Sequence, residues 1–327
     1  MLPALLDEGP QMTGGGPGGT LAGETSPTPQ PTRRLSLMPR RLDVWTTPGR
    51  AGAAAARVLY QPRHRARIAA GRVARLLPAP SHRAFPAPHT QLIVEQIAEL
   101  TGVEATAAAA LHVRGTDRWL YALTCAEDRG VVIKVGKAGD AGLAREASTL
   151  AALSARETTL QIPVLRWHGE HDGWFALVTD IVKRRNGTAG AGIEEARAAA
   201  CALATMNGGF VVHGDLAPWN MVPTSAGLAL VDWEKSRFGP DPLCDLAHYV
   251  VRSGALLHKW RPRDAVRHLV GRESVGRQYL REIGVDPESA AEHLRRYLAR
   301  PTSRTATSSS IRRYEIEMDE ILSSNPA

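Results

Sequence analysis

Two short polar segments, each preceded by an apolar run, constrain this chain more than any other feature. The first is His213-Gly214-Asp215-Leu216-Ala217-Pro218-Trp219-Asn220, which follows Phe210-Val211-Val212. The second is Asp232-Trp233-Glu234, which follows Leu228-Ala229-Leu230-Val231. Short apolar runs of this kind are typical of buried strands. We therefore expect the polar residues to lie on loops and at strand ends, where functional groups are usually displayed.

The residue types in these segments suit phosphoryl transfer. That reaction needs an oriented hydroxyl nucleophile, metal ions across the β and γ phosphates, and fixed positive charge. Asp215 is the candidate base, because its carboxylate could accept or orient the hydroxyl proton. Asn220 and Asp232 offer the oxygen ligands that Mg²⁺ prefers. We expect His213 to brace the loop and Gly214 to permit a tight backbone path beside it.

The spacing of these residues resembles that of the aminoglycoside phosphotransferase and choline kinase-like family. In that family a His-Gly-Asp segment and a later Asp-aromatic-acid segment stand where protein kinases have His-Arg-Asp and Asp-Phe-Gly. The resemblance implies that Asp215 is the catalytic base and that Asn220 and Asp232 bind magnesium. It also implies an α+β, two-lobed, protein-kinase-like fold, with a small antiparallel-sheet lobe and a mostly helical large lobe.

A lysine and a glutamate upstream extend the same pattern. Lys134 interrupts the β-branched run Val131–Val135, where it could reach the α and β phosphates of a nucleotide. Glu146 follows on a predicted helix, beside an apolar face formed by Leu143, Ala147, Leu150 and Ala151. It could form an ion pair with Lys134. The alternatives are an edge-strand lysine that discourages aggregation and an exposed helix glutamate.

Three details qualify the resemblance. The sequence has no Gly-x-Gly-x-x-Gly, and the expected phosphate-covering loop, residues 113–119, contains one glycine. Trp219 is large for its position; it either packs the catalytic loop, which we favour, or walls the substrate pocket. The segment Pro242-Leu243-Cys244-Asp245-Leu246 resembles a family motif whose aspartate braces the catalytic loop, so we interpret Asp245 as structural support.

The hydrophobic patterns predict where the two lobes lie. We expect a small nucleotide-binding lobe over residues 90–182 and a helical catalytic and substrate lobe over residues 183–327. A helix near 90–100 precedes five strands near residues 110–114, 118–124, 130–135, 163–168 and 174–179, which should form one antiparallel sheet. Residues 179–182 would be the hinge, where backbone groups of Thr179 and Ile181 could meet adenine.

The first 89 residues differ from the rest in composition. Residues 1–90 carry 12 arginines, no lysine and 4 acidic residues, so the net charge of +7 originates there. Glycine and proline are frequent up to about Pro39, and such a stretch is typical of disorder. The Ala- and Arg-rich residues 50–77 could form a helix. A helical prefix packed on the small lobe, or a poorly folded extension, is favoured over an arm for nucleic acid or a membrane surface, because aromatic residues are sparse.

The remaining composition narrows the class of protein. Three scattered cysteines lack metal-ligand spacing and argue against a disulfide framework. With no apolar run of spanning length and no signal-peptide pattern, we expect a cytoplasmic protein without a membrane partner.

We therefore predict an ATP- and Mg²⁺-dependent phosphotransferase that acts on a hydroxyl of a small molecule such as an aminoglycoside, a sugar or an amino alcohol. The alternative is a catalytically weak or inactive kinase-like scaffold that binds nucleotide. A nucleic-acid partner is not favoured. Neither the oligomeric state nor the identity of the acceptor can be read from the sequence.

Overall fold

The largest sheet is antiparallel and has seven strands. The computed structural model describes residues 33–34, 42–47, 49–59, 88–113, 115–125, 129–185, 191–206, 209–300 and 309–324. The strands of the sheet are β1 Arg33–Arg34, β2 Leu42–Thr46, β3 Ala107–Val113, β4 Trp119–Thr124, β5 Gly130–Lys137, β6 Leu165–His171 and β7 Trp174–Asp180. Their order across the sheet is β1-β2-β3-β4-β5-β7-β6.

Alternation along the strands explains how the sheet is covered on both faces. In β5, Ile133 and Val135 are fully buried on one face, against Ile97 of helix α2, which spans Pro88–Thr101. Lys134, between them, therefore belongs to the opposite face, since neighbouring side chains of a strand alternate. On that opposite face, Ala122 of β4 packs against helix α1 Gly49–Leu59. The sheet thus offers Lys134 to the side where the helices of the second part lie.

Three elements of the sheet region, β1, β2 and α1, fall within residues 1–89, which the sequence pattern separated from the small lobe. Val44 of β2 is fully buried and pairs with Leu111 of β3, and α1 covers both strands. The strand was missed because its five residues stand among arginines and prolines, and composition outweighed the local pattern. Part of the expected 50–77 helix is observed as α1. Its remainder lies outside the described residues, as does most of the stretch before Pro39 that we expected to be disordered. At Arg33 and Arg34 that expectation is wrong, because these two residues pair with Thr46 and Trp45 of β2.

Helix α3 spans Ala141–Ser154 and carries Glu146. Asp140 caps its first turn by accepting the N–H groups of Gly142 at 3.0 Å and Leu143 at 3.2 Å. The buried face is the predicted one except at its end, where Ala151 is exposed and Leu153 is buried instead. Glu146 is also buried, because the helix lies between the sheet and the second part of the molecule.

The second part of the chain is mostly helical. Its helices are α4 Ile193–Ala204, α5 Cys244–Leu257, α6 Pro262–Val270, α7 Val275–Glu282, α8 Ala290–Leu298 and α9 Ser309–Ser324, with a 3₁₀ turn at Pro287–Ser289. Two small hairpin-like sheets join β8 Val211–Val212 to β11 Arg237–Phe238, and β9 Met221–Thr224 to β10 Gly227–Leu230. One apolar core extends from α3 through these elements to α9.

The α+β class predicted from the sequence is confirmed, with a sheet-bearing part followed by a helical part. The five expected strands are present as β3 to β7. Within the described ranges, none of the helices combines the length and the apolar character needed to cross a bilayer.

Candidate active site

The loop between β8 and β9 is held by the first turn of α5. One carboxylate oxygen of Asp245, Oδ2, accepts the N–H of His213 at 2.8 Å, and Oδ1 accepts the N–H of Gly214 at 2.8 Å. Gly214 has φ of 77°, and a Cβ there would lie 2.2 Å from the carbonyl oxygen of Lys235. This backbone path therefore requires glycine, and Asp245 braces it as the sequence suggested.

His213 connects the two polar segments. Its Nδ1 accepts the N–H of Asp215 at 3.3 Å, while Nε2 lies 3.2 Å from the carbonyl oxygen of Val231. Burial lowers the pKa of His213, so the ring is neutral. With these two partners the single ring hydrogen belongs on Nε2, which donates to Val231. The residue braces the loop, in agreement with the role expected from its sequence.

Asp215 is buried but contacts two basic side chains. Oδ1 lies 2.8 Å from Nε2 of His248, and Oδ2 lies 3.2 Å from Nζ of Lys235. Burial by itself would raise the pKa of Asp215. The hydrogen bond from His248 and the charges of Lys235 and Arg252 outweigh it and hold the pKa well below its usual range. Asp215 is therefore an ionised carboxylate at neutral pH.

The two candidate metal ligands lie at the open end of the β9–β10 hairpin. Met221 pairs with Leu230, and the N–H of Val231 donates to the carbonyl oxygen of Asn220 at 3.0 Å. The side-chain Nδ2 of Asn220 donates to the carbonyl oxygen of Asp215 at 2.9 Å. Asp232 follows Val231 in a left-handed backbone conformation with φ of 73°. One hairpin therefore connects the candidate base to both candidate ligands.

Lys134 forms ion pairs with residues from both parts of the molecule. Its Nζ lies 2.6 Å from Oε2 of Glu146, 2.8 Å from Oδ1 of Asp232 and 3.8 Å from Oε1 of Glu234. Burial would lower the pKa of Lys134, but the three carboxylates outweigh it and raise the pKa above its usual value. The lysine is therefore a fixed positive charge, and the edge-strand interpretation does not describe it.

Glu146 also touches the second polar segment directly. Its Oε1 accepts the N–H of Trp233 at 3.3 Å. Glu146, Asp232 and Glu234 each present a carboxylate oxygen, and these oxygens lie within 4.8 Å of one another. Carboxylate oxygens are the donors that a hard divalent cation prefers. The residues present thus fit Mg²⁺.

Arg118 is a site residue that the sequence did not reveal. It lies at the end of the β3–β4 connection, where a glycine-rich loop was sought. Its Nη2 and Nε contact the two carboxylate oxygens of Asp140 at 2.6 and 2.8 Å, and Nη1 contacts Oε2 of Glu234. A Cβ at Gly142 would lie 2.5 Å from Nη2. The connection is tied to the site by an arginine, and only the tertiary fold shows this.

The predicted hinge lies at the end of β7. Thr179 pairs with Val132 of β5, and the N–H of Ile181 donates to the carbonyl oxygen of Gly130 at 3.0 Å. The N–H of Ile181 is therefore already used within the sheet, which leaves the other backbone groups of this segment for the predicted contact with adenine. Trp219 is buried in the core of the helical part, which agrees with the packing interpretation.

A family model described as the phosphotransferase enzyme family (APH) matches residues 44–283. This is most of the chain, so the protein belongs to that family, and the two-part α+β architecture is its protein-kinase-like fold. The match begins at Val44, inside the strand that the sequence pattern assigned to the leader. No curated protein matches the chain significantly.

Several solved structures are similar to the chain at low identity. WbdD, bound to the kinase inhibitor LY294002, is 17% identical with a TM-score of 0.37; the match covers 62% of this chain and 48% of WbdD, about half its length. A putative fructosamine-3-kinase from Haemophilus somnus 129PT is 13% identical with a TM-score of 0.43, covering 70% and 96%. APH(2″)-IIa, in a complex with streptomycin and ATP, is 12% identical with a TM-score of 0.41, covering 66% and 89%.

Proposed function

We propose that this protein transfers the γ-phosphoryl group of ATP to a hydroxyl of a small molecule, with magnesium as the metal. The observation that carries the proposal is the contact of Lys134 with both Glu146 and Asp232. Lys134 is 12 positions from Glu146 and 98 positions from Asp232 along the chain. Their meeting point is continuous with the Asp215 loop through Asn220, so one site holds every group that the reaction needs.

The phosphate end of the site would be formed by Lys134, Asn220 and Asp232. Lys134 supplies positive charge for the α and β phosphates, and Glu146 holds its ammonium group in place. Asn220 and Asp232 would hold magnesium, which when bound neutralises charge on the β and γ phosphate oxygens. Before nucleotide arrives, Lys134 compensates the charge of Asp232. Binding of the metal and phosphates would therefore exchange one ion pair for another.

The acceptor end would be formed by Asp215. Its depressed pKa makes it a weak base, which suits a loose transition state in which the acceptor proton leaves late. Asp215 would mainly orient the hydroxyl towards the γ phosphorus and take its proton as the new bond forms. The scaffold alternative is not favoured, because a protein that only binds nucleotide has no need of this buried carboxylate beside the phosphate site.

Adenine would lie near the end of β7, beside Thr179 and Ile181. The N–H of Ile181 is engaged by Gly130, so contact with the base would have to use other backbone groups of this segment. A cytoplasmic location, where ATP and magnesium are supplied, fits the reaction. The acceptor is proposed only as a small hydroxylated molecule, such as an aminoglycoside, a sugar or an amino alcohol.

The test is ATP consumption with magnesium against a panel of aminoglycosides, sugars and amino alcohols, with mass spectrometry to detect a product heavier by one phosphoryl group. The Asp215→Asn variant serves as the inactive control. Asp319→Asn, at an exposed position of α9, is the matched control that should keep full activity. Formation of the same product by wild type and Asp215→Asn at equal rates would refute the assignment of the base. Absence of Mg²⁺-dependent ATP binding by calorimetry would refute the proposed function.

A further inference from the structure

Helix α5 reaches the catalytic loop with two side chains, one turn apart. Asp245 bonds to the backbone of the loop, and His248, three residues later, lies on the same face of the helix. Nε2 of His248 is 2.8 Å from Oδ1 of Asp215. The imidazole is only 7% exposed. The effect of this buried histidine on the candidate base depends on which of its two ring nitrogens carries the hydrogen.

The partners of His248 determine that position. Burial lowers the pKa of His248 despite the carboxylate beside it, so the ring is neutral and carries one hydrogen. If Nε2 lacked the hydrogen, its lone pair would face an ionised carboxylate oxygen at 2.8 Å, and the two acceptors would repel each other. The N–H of Arg252 Nε also points at Nε2, from 3.1 Å, but the contact with the ionised carboxylate is shorter, so we assign the hydrogen to Nε2, which donates to Asp215. Nδ1 is then an acceptor, and the hydroxyl of Tyr297 on α8 lies 3.1 Å from it.

Tyr297 is suited to donate this hydrogen bond. Burial raises the pKa of Tyr297 above its usual value, so the phenol keeps its hydrogen. At Nε2, the nitrogen that faces Asp215, a second donor competes, because Nε of Arg252 lies 3.1 Å away. Without Tyr297, the ring hydrogen could move to Nδ1, and Nε2 would accept from Arg252. The tyrosine hydroxyl thus decides whether His248 bonds to Asp215 or to Arg252.

We propose that Tyr297 and His248 form a hydrogen-bonded relay that positions Asp215, with Oδ2 left as the oxygen that meets the acceptor hydroxyl. The order of donation is Tyr297 to His248 to Oδ1 of Asp215. Oδ2 is on the side of Lys235, whose side chain is 53% exposed, so this oxygen faces the direction from which a substrate enters. The relay rests on these contacts and on a neutral imidazole, whereas the role of Oδ2 rests on the proposed function.

The relay is tested first by a measurement that needs no acceptor. In ¹⁵N-labelled full-length protein, two-bond ¹H–¹⁵N correlations distinguish the hydrogen on Nε2 from that on Nδ1, and the His248→Gln variant assigns the signals. We expect a neutral ring with its hydrogen on Nε2 at neutral pH, and a shift towards Nδ1 in Tyr297→Phe. A charged ring or an Nδ1 hydrogen in the wild type, or an unchanged pattern in Tyr297→Phe, would overturn the relay.

Turnover then tests what the relay does. His248→Ala removes the hydrogen bond to an ionised group and should lower kcat by about 10- to 100-fold, with KM for ATP unchanged. The amide N–H of His248→Gln can reach the same oxygen, so this variant should recover most of the loss. Tyr297→Phe should lower kcat by about 3- to 10-fold in the wild type and have no further effect in the glutamine background, where no tautomer remains to be set.

A second tyrosine provides the matched control. Tyr314 on α9 donates from its buried hydroxyl to the carbonyl oxygen of Trp260 at 3.0 Å. Tyr314→Phe therefore removes a comparable hydrogen bond and should lower stability without changing kcat. An equal fall in kcat in Tyr314→Phe, or an unaltered kcat in Tyr297→Phe, would refute the positioning role. If no acceptor is found, the proposed function fails while the NMR result still decides the relay.

Discussion

The two ends of the site hold their carboxylates in different ways. At the phosphate end, Glu146, Asp232 and Glu234 surround charged side chains, Lys134 among them. At the acceptor end, Asp215 receives a hydrogen bond from a neutral imidazole, and Asp245 receives two from the backbone. Ion pairs can exchange partners when a metal and phosphates arrive. The buried hydrogen bonds from neutral donors hold Asp245 and Oδ1 of Asp215 in one geometry, although Oδ2 of Asp215 also pairs with the exposed Lys235. Under the proposed function, the difference separates a binding end that rearranges from a reacting end that stays in place.

This contrast predicts that the variant with the largest effect on turnover is Asp215→Asn. The amide keeps the shape of the side chain but cannot accept the proton, so kcat should fall by about 10²- to 10⁴-fold. Mg·ATP affinity should stay within a factor of two or so of the wild type, because binding depends on the other end of the site. Steady-state kinetics and calorimetry on the same preparation measure both. A parallel loss of affinity would show that the two ends are not independent.

The second prediction concerns the proposed metal ligands at the phosphate end of the site. Asp232→Ala removes a proposed metal ligand and leaves Lys134 with one fewer carboxylate. Mg²⁺-dependent ATP affinity should fall by at least the ~10- to 100-fold that even outer-shell partners of a metal are worth. Asn220→Ala should weaken affinity less and also lower the rate, because its side chain also bonds to the backbone of Asp215. Calorimetry with and without EDTA is the measurement, and unchanged affinity in Asp232→Ala would place the metal elsewhere.

The third prediction concerns the Lys134–Glu146 pair. Lys134→Ala should reduce kcat/KM strongly, and Glu146→Gln should reduce it less, because glutamine keeps a polar group of similar shape. Since both act through one phosphate contact, the double variant should cost less than the sum, with a coupling of about 0.5–3 kcal/mol. Kinetics of the four proteins give this coupling directly. Additive losses would mean that the 2.6 Å contact has no functional role.

The smallest effects should come from two packing variants, one in the sheet-bearing part and one in the helical part of the molecule. Val44→Ala removes two methyl groups from a fully buried position of strand β2, at a cost of about 2 kcal/mol in the free energy of unfolding. Gly254→Ala on α5 would place a Cβ 2.1 Å from the hydroxyl of Tyr314 and should cost about 1–3 kcal/mol.

Denaturant titration gives both stability changes, and kinetics show which end each variant disturbs. Val44→Ala should weaken ATP affinity more than kcat, and Gly254→Ala should do the reverse. Identical kinetic changes in the two variants would contradict the separation of the two ends.

The same two ends differ in how far the sequence predicted them. The local spacing of Asp215, Asn220 and Asp232 was sufficient to predict that the three residues belong to one region, because one loop and one hairpin hold all of them. Lys134 and Glu146 were found through their order in a known family pattern. Their roles stay predictions, but the structure brings both into one cluster with Asp232.

Contacts between distant segments were not predictable. Arg118 meets Glu234 across 116 positions, and His248 meets Asp215 across 33. Neither arginine nor histidine stands in a distinctive local pattern, so only the packing of the elements brings them to the site. Strand β2 was missed for a related reason, since its pairing with β3 spans more than sixty residues of chain. Composition assigned this strand to the leader, whereas the structure pairs it with β3.

The position of α9 late in the chain determines the order in which parts of the protein can fold during synthesis. This last helix packs on α5 and α6, with Tyr314 seated against Gly254, and α5 carries both residues that hold the catalytic loop. Synthesis proceeds from the N-terminus, and early segments begin to fold before later ones exist. The sheet can therefore assemble on the ribosome, whereas the support of Asp215 is completed only after residue 322 has emerged. A nascent chain would therefore complete the sheet before the support of Asp215 is in place.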